Sequence, residues 1–272
     1  MRAFLACKAW LLAGVAILLG GCVATMPTVD PGKVGRPATV AIVDVPDIRP
    51  WAVIGVFSVG APGINQFHFS ERSDRFFAQA GTPMAVTSNY GLVGRVLEQS
   101  AADTQSRAEG FAEEVLKVQP GLNLRTEFMA ALRKALEARG VNVRIVSAGR
   151  PRTPRLLWPA SDATGQSYPS LPLAETPPID ADVVLQVSPV AMYNAIGLMH
   201  AYNLSVSVGA ALYNGRTREF LGRQTLFYKP ASTRSYGRYD DLLRDLPAAA
   251  PPLKDGLVQL AGQVAELAAG RR

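Results

Sequence analysis

Cysteine and histidine are nearly missing from this chain, with two of each among 272 residues. Both cysteines, Cys7 and Cys22, fall within the first 22 positions. Residues 23–272 therefore hold no thiol to form a disulfide, ligate zinc through sulfur or act as a nucleophile. His68 and His200 stand far apart, neither is beside a carboxylate pattern that would orient it as a base or metal ligand, and no HExxH spacing occurs. The phosphate-cradling GxxxxGKS or GxxxxGKT loop is absent as well. Ser58, in GVFSVG, lacks the glycine two positions earlier that a nucleophile elbow requires, because Val56 stands there. The acidic pair Asp240-Asp241 fits the start of a helix, where negative charge meets the helix dipole. No catalytic residue and no metal ligand is nominated, and the expectation is a protein without enzymatic activity. A hydrolase built on two carboxylates distant in sequence is the least favoured alternative.

Charge of one sign is also scarce. The formal net charge of +6 falls to +4 without Arg2 and Lys8, and no basic stretch carries the interleaved aromatics of a nucleic-acid platform. Arg150, Arg152 and Arg155 form one local cluster, suited to a solvated loop or to anionic lipid. What the chain does have is apolar surface, with 48% hydrophobic residues, enough for one core of ordinary size.

The first 22 residues, MRAFLACKAWLLAGVAILLGGC, have the layout of a cleaved export signal: Arg2 and Lys8, an apolar run from Ala9 to Leu19, then small residues. Leu19-Gly20-Gly21-Cys22 resembles the lipobox of bacterial lipoproteins. In that family a dedicated peptidase recognises the residues before the cysteine and cuts in front of it, after its sulfur has received diacylglycerol. The resemblance implies signal peptide 1–21 and a Cys22 carrying a thioether-linked diacylglycerol and an N-acyl chain, with no other cofactor. Two or more acyl chains hold a protein stably on a bilayer. The family's inner-membrane retention signal is an aspartate after the cysteine. Val23 stands there, which implies the cell outer membrane, facing the periplasm.

Residues 22–37, rich in Pro, Gly and small side chains, suit a flexible tether, and 38–272 form a single periplasmic domain. Ala38–Val45 (ATVAIVDV) is a strand buried on both faces. An inserted segment, 51–118, opens with a β-rich run to Val59 and closes on a helical pattern. There Val93, Leu97, Ala101, Thr104, Ala108, Phe111 and Val115 recur at three- and four-residue steps. That stripe packs on the protein's own sheet or forms a seam for another helix. A helix over 124–139 is capped by Asn123 and stopped by Gly140, and Val141–Val146 is a half-buried strand. The Pro-rich loop 147–178 carries Leu156, Leu157 and Trp158, which must pack back on the body or meet a partner. Ala181–Val187, Tyr202–Tyr213 and Glu219–Tyr228 are strands of a meander, with Asn214-Gly215 as a hairpin turn. Leu253–Ala269 is a closing amphipathic helix behind Pro251-Pro252. The fold class is α+β: a mixed sheet with an antiparallel C-terminal meander, packed by two or three amphipathic helices.

Four stretches carry a further resemblance: TVAIVDV at Thr39, FMAALRKALEARGVNVRIV at Phe128, ADVVLQV at Ala181, and the meander turning at Asn214-Gly215. Over roughly half of the chain this order is similar to the amino-terminal domain of TolB and to curli-secretion-type and transport-auxiliary lipoproteins. Those bodies are binding and assembly modules. The resemblance implies a component of an envelope transport or secretion complex, held to the membrane by its lipid and meeting other envelope proteins. The alternative it implies is a homo-oligomer, a self-assembling ring or pore. Val93, Leu97, Ala101, Phe111, Val115 and Trp158 are the candidate contacts, and no nucleic-acid partner is expected.

Overall fold

Five consecutive residues, Thr39–Val43 (TVAIV), set the centre of the fold. They are β-branched or small and uncharged, and Val40, Ala41, Ile42 and Val43 are all buried, so this strand needs cover on both faces. The computed structural model of the protein describes residues 29, 31–45, 47–54, 110–147, 156–161, 170–195, 201–232 and 234–270. In chain order its elements are α1 (Pro31–Val34), β1 (Thr39–Val43), β2 (Trp51–Ile54), α2 (residues 110–118), α3 (Leu124–Glu137), β3 (Asn142–Val146) and β4 (Val183–Ala195). After these come β5 (Tyr202–Asn214), β6 (Phe220–Phe227), α4 (Tyr239–Arg244) and α5 (Leu246–Ala268).

The expected α+β class holds: one mixed sheet in the order β3-β1-β4-β5-β6, with helices against it. β1 runs parallel to β3 on one side (Thr39↔Asn142) and to β4 on the other (Val40↔Val183). β4, β5 and β6 form the antiparallel meander. Val40 and Ile42 enter the larger core with α3 and α5, whereas Ala41 and Val43 enter a second core on the opposite face.

α3 forms because Phe128, Leu132 and Leu136 recur every four residues behind Leu124, giving one buried stripe. The Asn123 side-chain oxygen accepts the Thr126 N–H at 2.9 Å, which satisfies an otherwise orphaned donor and stabilises the helix by about 0.5–2 kcal/mol. α5 buries Leu253, Leu257, Leu260, Ala261 and Val264 on one face. It begins at Leu246, seven residues before the expected start, and runs through Pro251 and Pro252. Both lie past the first four helical residues, so α5 forgoes the bonds their N–H groups would have donated to the Pro247 and Ala248 carbonyls, a cost that its long buried face offsets. The Tyr193 hydroxyl donates to the Ala249 carbonyl in the turn beside them.

β4 is longer than the expected Ala181–Val187, because it continues through Pro189. β1 pairs with Val183–Leu185 and β2 with Met192–Ala195 along the same edge, so among the described strands only β5 forms a ladder with residues 186–191. Among the described strands β4 is edge-like within that gap, a sheet environment that accepts proline. The chain takes nine steps from Ile42 to Trp51 while β4 takes seven from Leu185 to Met192, so the β1–β2 connection bulges off the sheet.

The packing overturns three expectations. Val29 and Val34 are buried in the main core and the Ala38 carbonyl accepts the Asn142 N–H, so Val29 and residues 31–37 form a strap on the body rather than free tether. Ile145 is 54% exposed, because β3 lies at the sheet's edge beyond the helical cover that half-buries Val143. Trp158, a proposed partner contact, is fully buried in the second core, edge-on to the Tyr213 ring at 5.6 Å and 89°. Its indole N–H donates to the Thr176 carbonyl, and its own carbonyl accepts the Tyr213 hydroxyl, both at 3.1 Å. The described part of the Pro-rich loop thus closes the second face of the sheet.

Candidate functional site

From β1 the chain runs first to β2, along β4's edge, and then through α2 and α3 to β3 on the other side of β1. Connections part at such a point, and a crevice opens beyond the carboxyl ends of the strands. A groove of about 510 Å³ lies there, lined among others by Asp47, Arg49, Trp51, Glu113, Leu116 and Asn123. Its wall is the bulging β1–β2 connection, pinned from α3: the Arg125 guanidinium donates to the Val45 carbonyl and pairs with Asp44 at 2.6 Å. Opposite stands α2, with Leu116 47% exposed at the rim. Charges of both signs around a partly apolar floor suit recognition of a mixed surface, and among the described residues no nucleophile sits beside a base here. Among the described residues no group of three His, Cys, Asp or Glu side chains could hold a metal ion.

A second polar cluster joins α4 and α5 to the sheet. Tyr193 and Tyr236 stack edge-on with centroids 5.7 Å apart, and Asp245 accepts from the Tyr236 hydroxyl at 2.8 Å and from Arg234 at 2.7 Å. Those two donors, Arg234 first, hold the Asp245 carboxyl below its ordinary range. Burial, followed by the bond to Asp245, pushes the Tyr236 phenol up to about 12, and burial also raises Tyr193. Both hydroxyls stay protonated at neutral pH and act as donors, which makes this a latch. A depressed carboxylate stabilises the fold above its unfolded pKa and loses that contribution as pH falls through the folded value. Asp245→Asn is therefore expected to destabilise the protein at neutral pH and to match wild type once the carboxyl is protonated in both states. Urea unfolding across an acid series checks this, and a constant difference at all pH values would refute it.

The sequence-derived candidates do not converge. Phe111 and Val115 are fully buried in the main core, Phe111 meeting Tyr193 edge-on at 6.3 Å, so the described end of the stripe is core and offers no contact surface. Val93, Leu97 and Ala101 lie outside the described residues, as do Leu19, Gly20, Gly21, Cys22, Ser58, His68 and His200. Asp240 and Asp241 occupy the first turn of α4, and Asp241 pairs with Arg244. The groove residues Asp47, Arg49, Trp51 and Glu113 were not among the candidates. Their signal was present in DVPDIRP, where Pro46 and Pro50 bracket charged residues directly after a buried strand.

No family model matches the chain, and no curated protein matches it. Among solved structures it is similar to the crystal structure of a Xanthomonas campestris protein of the family DUF330, at 11% identity and a TM-score of 0.28. That similarity covers 53% of this chain and 61% of the other, so the chain spans less than two thirds of the protein it matches. A likeness this slight supports no statement about what the chain does.

Proposed function

We propose that this chain is a lipid-anchored protein of the outer membrane whose α+β body is a non-enzymatic binding or assembly component of an envelope transport or secretion complex. The observation that carries the reading is Leu19-Gly20-Gly21-Cys22 behind a basic start and an apolar run. A mixed-charge groove beyond the carboxyl end of β1, with no nucleophile–base pair around it among the described residues, supports a binding role for the body. Cys22→Ser is expected to move the protein from the membrane pellet to the soluble or unprocessed fraction. Intact mass should show diacylglyceryl and acyl additions on the wild-type chain alone. An unmodified wild-type Cys22, or a membrane fraction unchanged by the substitution, overturns the reading.

One observation favours the homo-oligomer as a second reading. Among the described residues neither β3 nor β6 has a neighbour on its outer side, and Ile145 and Phe227, on these edge strands, are 54% and 48% exposed. Open edges with apolar side chains are templates for strand pairing between copies. Native mass spectrometry of the gently extracted protein separates the two: a closed multiple of the monomer supports the ring, and heteromeric masses support the adaptor.

A further inference from the structure

We infer that the strap end of the body is the face held against the bilayer, with Lys33 and Arg36 meeting anionic phospholipid headgroups, and that the β1 groove is held at the far end, away from the membrane. This rests on the lipid-anchor reading of Cys22.

Reach is the first constraint. Val29 is already buried in the core, so only residues 23–28 separate Cys22 from the body. Seven residue steps span at most about 25 Å when fully extended. The body has its own length, and two rulers measure it. The strap cavity contains Val29, Arg36, Ala138 and Arg139 at the carboxyl end of α3, whereas the groove contains Asn123 and Leu124 at its amino end. Fourteen helical residues separate the two ends by about 21 Å. Along the sheet, Asp182, just before β4, accepts the N–H groups of Ala38 and Thr39, while Trp51 in the groove pairs with Met192. Nine steps of strand from Val183 to Met192 make about 30 Å. Only a fully stretched connection would let the groove turn down onto the lipid, and nothing described repays that stretching.

The strap is fixed to the body rather than swinging on it. Gly35 and Gly270 both have positive φ, 64° and 71°, and their backbones touch: a Cβ on Gly270 would lie inside the Gly35 carbonyl oxygen. Charge points the same way. Among the described acids at this end, Glu266 pairs with Arg139 at 2.9 Å and Asp180 and Asp182 lie near Arg216 at 3.8 and 3.7 Å, while Glu219 is exposed in the β5–β6 turn. The negative carboxyl end of α3 is met by Arg139, which donates to the Ala135 carbonyl. Lys33 and Arg36 are exposed and form no ion pair among the described residues, which leaves two cations facing outward where the chain runs toward Cys22.

Depth-dependent fluorescence quenching tests the orientation on the full lipidated protein. Residues 23–272 contain no cysteine, so single substitutions Ala38→Cys (strap end) and Glu113→Cys (groove rim), both at exposed positions, can be labelled cleanly. In vesicles of phosphatidylethanolamine and phosphatidylglycerol with a nitroxide on the headgroup, quenching should be several-fold stronger at position 38 than at 113. Lys33→Glu with Arg36→Glu should weaken it at 38 in these vesicles and leave it unchanged in phosphatidylcholine. Equal quenching at both positions, or stronger quenching at 113, on a chain whose mass confirms the lipid overturns the orientation alone. Insensitivity to the charge reversal overturns the headgroup contact. A chain without lipid on Cys22 removes the anchor reading, and the orientation falls with it.

Discussion

Trp158→Ala is expected to lower the unfolding free energy by about 3–5 kcal/mol, the range for truncating a large buried aromatic. Trp158 leads the fully buried side chains by volume, and it is the keystone of the smaller core, where Leu156, Leu157 and Ala160 close over Ala41, Val184 and Tyr213. The loss should appear as a lower urea midpoint. Trp158→Phe keeps most of the volume and removes the indole donor to Thr176, whose carbonyl still accepts from Arg218 at 3.3 Å. Its cost should stay near one hydrogen bond, about 1 kcal/mol. A loss for the alanine variant no larger than this would mean that the loop is undocked in solution and that Trp158 is free to meet a partner.

Gly215→Ala should cost about 1–3 kcal/mol, as for overpacking a filled site. An added Cβ would lie 2.3 Å from the Ala181 carbonyl oxygen and 2.5 Å from that of Ile179. Neither is a flexible side chain. Both belong to the segment entering β4, where the Ile179 N–H donates to the Gly215 carbonyl at 2.9 Å. Relief of the clash must therefore move Asp182, whose carboxylate accepts the first N–H groups of β1. Gly262→Ala is the control: nothing lies within 4 Å of its added Cβ, and a helix-interior alanine should gain about 0.5–1 kcal/mol. Urea unfolding of the pair, with hydrogen exchange at Thr39, reads both effects. Equal stability in the two variants would refute the close approach.

Local chemistry made some of these elements legible and long-range packing hid others. The double burial of β1 could be read from TVAIV, and Asn123 caps α3 as its side chain predicts, with Gly140 at positive φ three residues past its end. Asn214-Gly215 marks a true turn, though for a different reason than its backbone freedom suggests. Arg218 takes the positive φ of 65°, Asn214 accepts the N–H groups of Arg216 and Thr217, and Gly215 is required by space. Proline misled twice in the same way. A rule about proline breaking regular structure cannot know that residues 186–191 lie between the β1 and β2 ladders, or that the long apolar face of α5 is buried on the body. The strap was missed because Val29 and Val34 are isolated apolar residues in a Pro/Gly-rich stretch, and isolated residues have no periodicity to betray burial. The groove exists only once the β1–β2 connection, α2 and the start of α3 meet, so DVPDIRP marks one wall of it and no local signal assembles the whole.

The pairing of β1 with β4 sets a schedule. Val40 lies beside Val183, so the first strand of the sheet waits for a partner more than 140 residues away. Contacts at such separation close late, because the entropy of a long loop is spent before any contact repays it. The meander and α5 are joined by short connections and contain everything needed to form early. A chain delivered amino end first would thus carry β1 without its β4 neighbour until its last third arrives, with β3, which follows at Asn142–Val146, as its one earlier sheet partner among the described strands. Before that moment it is a segment that a chaperone would be expected to hold.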